Sequence, residues 1–200
     1  MDAEGCCGIG IPVQKFNLQI GRLSFAESPI GRVATYHVVT RVGGSVFDEV
    51  RLDVQLGKRA HIAPESVNGP DYLAFIGLPP IQVPTIPITI QVGEKVHALT
   101  RTYGNSSPST RVKDLIDLVI ISQRIPNGFP AERLAKDISR IFSERGTHPI
   151  PDRLPSPPAI WAVGYRREAK ELALPEDLRV AHELAAAMVD PALEILSAKQ

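Results

Sequence analysis

The chain has 200 residues and a mass of 21.8 kDa, with 44% apolar and 22% charged residues, a composition that suits a soluble globular fold and excludes disorder, collagen and a disulfide scaffold. Its 22 basic residues balance 22 acidic ones, so no global field draws it to nucleic acid or an anionic membrane, and any polyanion must meet a local patch. The purely apolar runs, such as residues 118 to 121 and 184 to 189, fall far below the roughly 18 residues of a membrane helix.

Residues 1 to 15 show no sustained period and read as a poorly ordered lead-in. The first 25 residues lack a basic segment followed by an apolar core, so no secretory signal is expected. Cys6 and Cys7, the only cysteines, are adjacent, which suits neither a stapling bridge nor a zinc site, and a reducing cytoplasm is the expected compartment. Phe16, Leu18 and Ile20 alternate with polar residues as in a strand, and residues 33 to 42 are rich in β-branched and aromatic types. Gly43-Gly44-Ser45 then predicts a turn into a second hairpin arm over residues 46 to 56. In that arm Val50, Leu52, Val54 and Leu56 alternate with Arg51, Asp53 and Gln55, which puts Asp53 on the polar face.

The chain carries 18 prolines, against about ten at average usage. Six of them between residues 64 and 87 preclude a regular helix over most of that stretch, which reads as a surface connector. A helix is predicted over residues 91 to 103, with Val92, Val96 and Leu99 inward and Gly104-Asn105 as its stop. A second, over residues 111 to 124 with Thr110 as N-cap, is apolar nearly all round and therefore buried. Pro126 stops it. A third, over residues 130 to 145, begins with proline in its first turn and turns Leu134, Ile138, Ile141 and Phe142 inward. Prolines 149, 151, 155, 157 and 158 form an extended strap. Residues 161 to 173 and 177 to 198 then have helical composition, with Pro191 expected to kink the last helix or start a new turn. The plan is a lead-in (1–15), a β-rich part with its proline-rich connector (16–90) and a helical domain (91–200).

The chemistry-bearing stretch lies in the first two of these helices. Lys95 follows Val92 by three positions and precedes Leu99 by four, so it sits on the inner stripe, where an ammonium needs an anion. Asp114 and Asp117 share one face of the next helix, and Asp117 has apolar neighbours on either side. The bland alternative has Lys95 snorkelling outward, Asp114 complementing the helix dipole and Asp117 pairing with Lys113. Together, a lysine and a D-x-x-D face on consecutive helices would set a phosphate-gripping cation beside carboxylates that orient it or the nucleophile.

With its E-K-x-x-A-L-x-R helix and the start Ser109-Thr110-Arg111-Val112-Lys113-Asp114-Leu115-x-Asp117-Leu118, the run from Glu94 to Ile121 resembles the AbiEii/AbiGii nucleotidyltransferase toxin family. A weaker resemblance spreads over roughly residues 30 to 145. It implies an α+β fold, with part of a polymerase-β-like nucleotidyltransferase sheet followed by a helical C-terminal half, and a toxin of a bacterial toxin-antitoxin pair with a cognate antitoxin protein. It also implies a nucleoside triphosphate substrate, Mg2+ and, for some members, transfer RNA as acceptor. Carried over by position, Lys95 is the lysine that faces the triphosphate, with Arg111 as a second nucleotide-binding cation. Asp114 and Asp117 are the catalytic D-x-x-D pair, and Asp53 is the third carboxylate of the sheet and a metal ligand.

The resemblance also implies a Gly-Ser turn followed about ten residues later by an Asp-x-Asp pair that binds two magnesium ions. The nearest candidate here is Gly43-Gly44-Ser45 followed by Asp53-Val54-Gln55, slightly short in spacing, and Gln55 cannot supply an anionic ligand. The expectation is therefore that residues 43 to 57 form a hairpin and that the pair lies upstream of residue 1. The alternative function is a non-catalytic remnant that binds an antitoxin or RNA. The five histidines show no metal-ligand spacing and read as ordinary residues. Glu132, Asp137 and Glu144 interleave with the basic residues of the third helix, which reads as a solvated face.

Overall fold

A computed structural model describes residues 16–28, 31–56, 62–72, 74–101 and 111–198. The lead-in, the glycine stop at residues 104 and 105 and the Thr110 cap lie outside them. The fold is α+β, a small antiparallel sheet region followed by five helices, and the chain divides into two compact units, Met1–His61 and Ile62–Gln200.

The first unit is an antiparallel meander of β1 (Phe16–Ser28), β2 (Gly31–Val42) and β3 (Ser45–Leu56), with β2 in the centre. Gly43 and Gly44 join β2 to β3 with φ of 57° and 88°, the left-handed values that a two-residue hairpin turn requires and that glycine adopts without a steric cost. Pairing of Ala34 with Val54, Tyr36 with Leu52 and Val38 with Val50 gathers the apolar alternates on one face. Ala34 and Val38 on the central strand are buried, while Val50 and Leu52 are half exposed.

The second unit opens with the proline-rich connector. It is not structureless: β4 (Glu65–Asn68) pairs antiparallel with β5 (Gln82–Thr85), with a 3-10 turn at Ala74–Ile76 between them. Pro84 lies opposite Ser66 in this two-stranded ribbon, where every strand is an edge and a missing N–H is tolerated. Five helices follow: α1 (Ile88–Thr100), α2 (Val112–Arg124), α3 (Ala131–Arg145), α4 (Trp161–Glu171) and α5 (Leu178–Ser197). α1 begins three residues before the predicted start because Pro87, extended at φ −48° and ψ 137°, stands directly before it. Pro130 plays the same part for α3, and Gly146 ends that helix in the left-handed conformation. Pro191 lies inside α5, which continues through it.

The core runs through the helices: Val92, Val96 and Leu99 of α1 join Leu115, Leu118 and Val119 of α2, Leu134 and Ile138 of α3, Trp161 and Tyr165 of α4, and Ala185, Val189 and Leu193 of α5. α1 packs on both α2 and α3, and α5 packs on α2, α3 and α4. The proline strap docks on this core. Leu154 is buried, its backbone N–H donates to Asp190 Oδ1 at 2.8 Å, and its carbonyl lies 3.0 Å from His182 Nε2.

Two contacts bind α1 to α3. Thr89 Oγ1 donates to Asp137 Oδ2 at 2.6 Å, and both residues are buried, so Asp137 is not part of a solvated face as the charge pattern suggested. One turn on, Gly93 meets α3 so closely that a Cβ would stand 3.4 Å from Ile138 Cα and 3.4 Å from Ile141 Cγ1. One methyl just fits there. Gly93→Ala should stay within about 1 kcal/mol of wild type, because ordinary contact and better helix propensity offset each other. Gly93→Val should lose about 1–3 kcal/mol in denaturant unfolding, because its branches would have to push α3 away.

Candidate functional site

An inner-stripe lysine must find anions, and it finds them on α2. Lys95 Nζ stands 2.5 Å from Asp117 Oδ2 and 3.5 Å from Asp114 Oδ1. Asp114 Oδ2 in turn accepts from Arg111 Nε at 2.7 Å. Asp114 and Asp117 lie one helical turn apart, which lets a single ammonium from α1 reach both. The bland expectation, with Lys95 turned to solvent and Asp117 tied to Lys113, does not describe this geometry. The result is a chain of four charges in the order Asp117, Lys95, Asp114, Arg111.

Exposure is graded along it. The Asp114 side chain is 10% exposed and that of Lys95 26%, whereas Asp117 and Arg111 are 41% and 51% exposed. Asp114 is thus the buried anchor, held from both sides by cations, and Asp117 and Arg111 are the more exposed members. Burial alone would lower the Lys95 pKa. The hydrogen bond and charge of Asp117, followed by those of Asp114, outweigh it and hold the ammonium above its ordinary 10.5.

Asp53 belongs to the first unit. Pairing with Thr35 puts it on the polar face of the sheet, as its alternation predicts, and there it accepts from Thr35 Oγ1 at 2.7 Å and lies 3.6 Å from Arg51. His37 and Glu49, 3.1 Å apart, share that face. As a magnesium site the donor set falls short: Asp53 is one carboxylate already bonded to a hydroxyl, with a guanidinium beside it and Gln55 two residues on. Among the described residues, no three His, Cys, Asp or Glu side chains stand together to hold a metal.

The sequence reading missed a cluster on the other side of α1. His97 is buried, and His97, Thr100, Thr147 and His148 form a connected hydrogen-bond group against Phe142. The available signal was the position of His97 directly after Val96 on a packed helix. Its partner Thr147 lies 50 residues away, and Thr100 and His148 are 48 apart, beyond the reach of spacing rules.

An α+β chain with a small antiparallel sheet, five packed helices and a lysine clasped by a D-x-x-D pair is what the architecture and the site define. Comparison with protein families gives it a family: residues 11–193 match the model described as nucleotidyl transferase AbiEii toxin, type IV TA system. The chain belongs to that family of nucleotidyltransferase toxins, whose membership implies a nucleoside triphosphate substrate and an antitoxin partner. The match reaches well beyond residues 30 to 145 on both sides. No curated protein matches the chain. None of the described helices is long and apolar enough to cross a membrane.

Because Lys95 neutralises a buried aspartate, Lys95→Met should lower stability by about 1–3 kcal/mol at neutral pH by leaving Asp114 with Arg111 alone. A raised lysine pKa contributes stability that is complete below the unfolded value and is lost as pH rises through the folded one. The difference between wild type and Lys95→Met should therefore be constant through neutral pH and shrink above pH 10.5, as followed by urea unfolding across the alkaline range.

Proposed function

We propose that the Asp117–Lys95–Asp114–Arg111 chain is a nucleoside triphosphate site that works by exchange of ion pairs. The observation that carries this reading is the 2.5 Å contact of Lys95 with the more exposed carboxylate, Asp117, while Asp114 keeps a second cation, Arg111. A triphosphate arriving at the open side displaces Asp117 from Lys95. Lys95 then pairs with phosphate oxygens from one side and Arg111 from the other, while Asp114 holds both cations at a fixed separation.

Nucleotidyl transfer needs an acceptor hydroxyl to attack the α-phosphorus as the bond to the leaving pyrophosphate breaks. The negative charge developing on the triphosphate oxygens is what Lys95 and Arg111 stabilise. Asp117, released from its lysine, is the carboxylate free to orient the acceptor hydroxyl and take its proton. A transfer RNA end is the proposed acceptor, an antitoxin protein the proposed regulator and the cytoplasm the proposed compartment. The proposed division of labour gives residues 16–90 the nucleotidyltransferase-like part and residues 91–200 the helical domain, with Asp53 as the acid of the sheet. Magnesium belongs to this chemistry in the family at large. One carboxylate beside Gln55 does not make a magnesium site, and no step is assigned to the metal here.

Gln55 also favours a second reading, in which the chain binds a nucleotide, RNA or antitoxin without transferring anything. Titration of wild type and Lys95→Ala with a labelled nucleoside triphosphate tests the site, and incubation with labelled nucleotide and transfer RNA separates the two readings. The expected results are saturable binding that Lys95→Ala weakens at least tenfold, and label transfer that Asp117→Asn abolishes. Binding unaffected by Lys95→Ala would overturn the exchange site. Binding without transfer would leave the second reading.

A further inference from the structure

We propose that His97 and His148 form an acid-operated latch that fastens the last turn of α1 to the segment following α3. The proposal concerns the helix that carries Lys95 but does not depend on what Lys95 binds. Four side chains make one continuous run. His97 Nε2 lies 2.8 Å from Thr147 Oγ1, Thr147 Oγ1 2.9 Å from His148 Nδ1, and His148 Nε2 2.8 Å from Thr100 Oγ1. Thr100 Oγ1 closes the run on the Val96 carbonyl at 2.9 Å.

The carbonyl at the end fixes the direction of every bond before it. A carbonyl only accepts, so Thr100 gives its one proton to Val96 and accepts from His148, which places the His148 proton on Nε2. A neutral imidazole has one proton, so His148 Nδ1 accepts from the Thr147 hydroxyl. Thr147 therefore accepts from His97 Nε2–H. Both rings are Nε2–H tautomers, and the run points one way, from His97 into the backbone of α1. Side chains from residues 97, 100, 147 and 148 are thereby joined in one run.

A second proton breaks this arrangement. On His148 it must go to Nδ1, which turns from acceptor to donor and leaves the Thr147 hydroxyl proton without its acceptor in the run. On His97 it charges a ring that is 4% exposed, packed edge-on against Phe142 and 4.6 Å from the His148 ring. The charges around the pair are unfavourable to such a proton. Arg145 comes from α3 and Arg101 directly follows α1, while Glu94, an acid that acts on His97, already pairs with Arg145 at 3.3 Å. α2, the other helix packed on α1, directs its Asp114 and Asp117 to Lys95. Burial first, then His148, Arg145 and Arg101, push His97 down to about 4, and burial followed by Arg101 lowers His148. Below pH 6.5 the unfolded chain therefore binds protons that the latched fold refuses. The latch contributes fully above 6.5 and is lost as pH falls toward 4.

Nitrogen-15 spectra of the histidine-labelled full chain test this directly. At pH 7.5 both His97 and His148 should be Nε2–H tautomers, and His97 should stay neutral far below pH 6.5. The unfolding constant should rise by up to tenfold per pH unit for each of the two histidines as the pH falls from 6.5, and His97→Gln should reduce that slope by the contribution of one proton. An Nδ1–H tautomer on either ring, a His97 that titrates at its ordinary value, or an unchanged slope in His97→Gln would overturn the latch. If His97→Gln does not fold, the wild-type tautomers and titration decide the question by themselves.

Discussion

One ammonium ties α1 to α2. Lys95 sits on a helix that is packed on two sides, so its charge can neither reach water freely nor be left alone, and α2 answers with two carboxylates one turn apart. A half-exposed ion pair contributes at most about 1 kcal/mol, but Asp114 is nearly buried, and removing its partner leaves a charge that the interior penalises severalfold more. The same network sets α2 against α1 at a fixed rotation, since only one face of α2 carries both acids. It also leaves Asp117 and Arg111 more exposed than the Lys95 and Asp114 between them.

The other side of α1 is fixed by different means. Gly93 allows α3 to approach until backbone meets side chain, Thr89 and Asp137 close a buried hydrogen bond, and the His97 cluster ties down the C-terminal turn. α1 is therefore held along its length by three unlike contacts. The prolines serve this arrangement from outside. Pro87 and Pro130 stand immediately before α1 and α3, where a missing N–H costs no helical bond. The strap from residue 149 to 158 is held to α5 through Leu154, Asp190 and His182.

Much of this was legible in the sequence because helices declare themselves by period. Val92, Val96 and Leu99 gave α1 its inner stripe and placed Lys95 on it, and the spacing of Asp114 and Asp117 gave them a common face. The Gly43-Gly44 turn and the alternation through Asp53 gave the hairpin and its polar face. What stayed hidden depends on contacts between distant residues. Asp137 sits among Arg133, Lys136 and Arg140 and looks solvated, yet its partner is Thr89, 48 residues earlier. His97 and His148 are 51 positions apart, and no local pattern joins them. The β4–β5 ribbon was obscured because its prolines argue against strands, an argument that fails at edges.

The account stands or falls on whether the Lys95–Asp117 pair is exchangeable. A double-mutant cycle with Lys95→Met and Asp117→Asn, run on stability with and without saturating nucleoside triphosphate, reads this directly. The account predicts a coupling of about 1 kcal/mol or more in the free chain that falls toward zero when nucleotide is bound, because the lysine has left the aspartate for phosphate. A coupling that nucleotide leaves unchanged would contradict it and make the pair a purely structural clasp between α1 and α2.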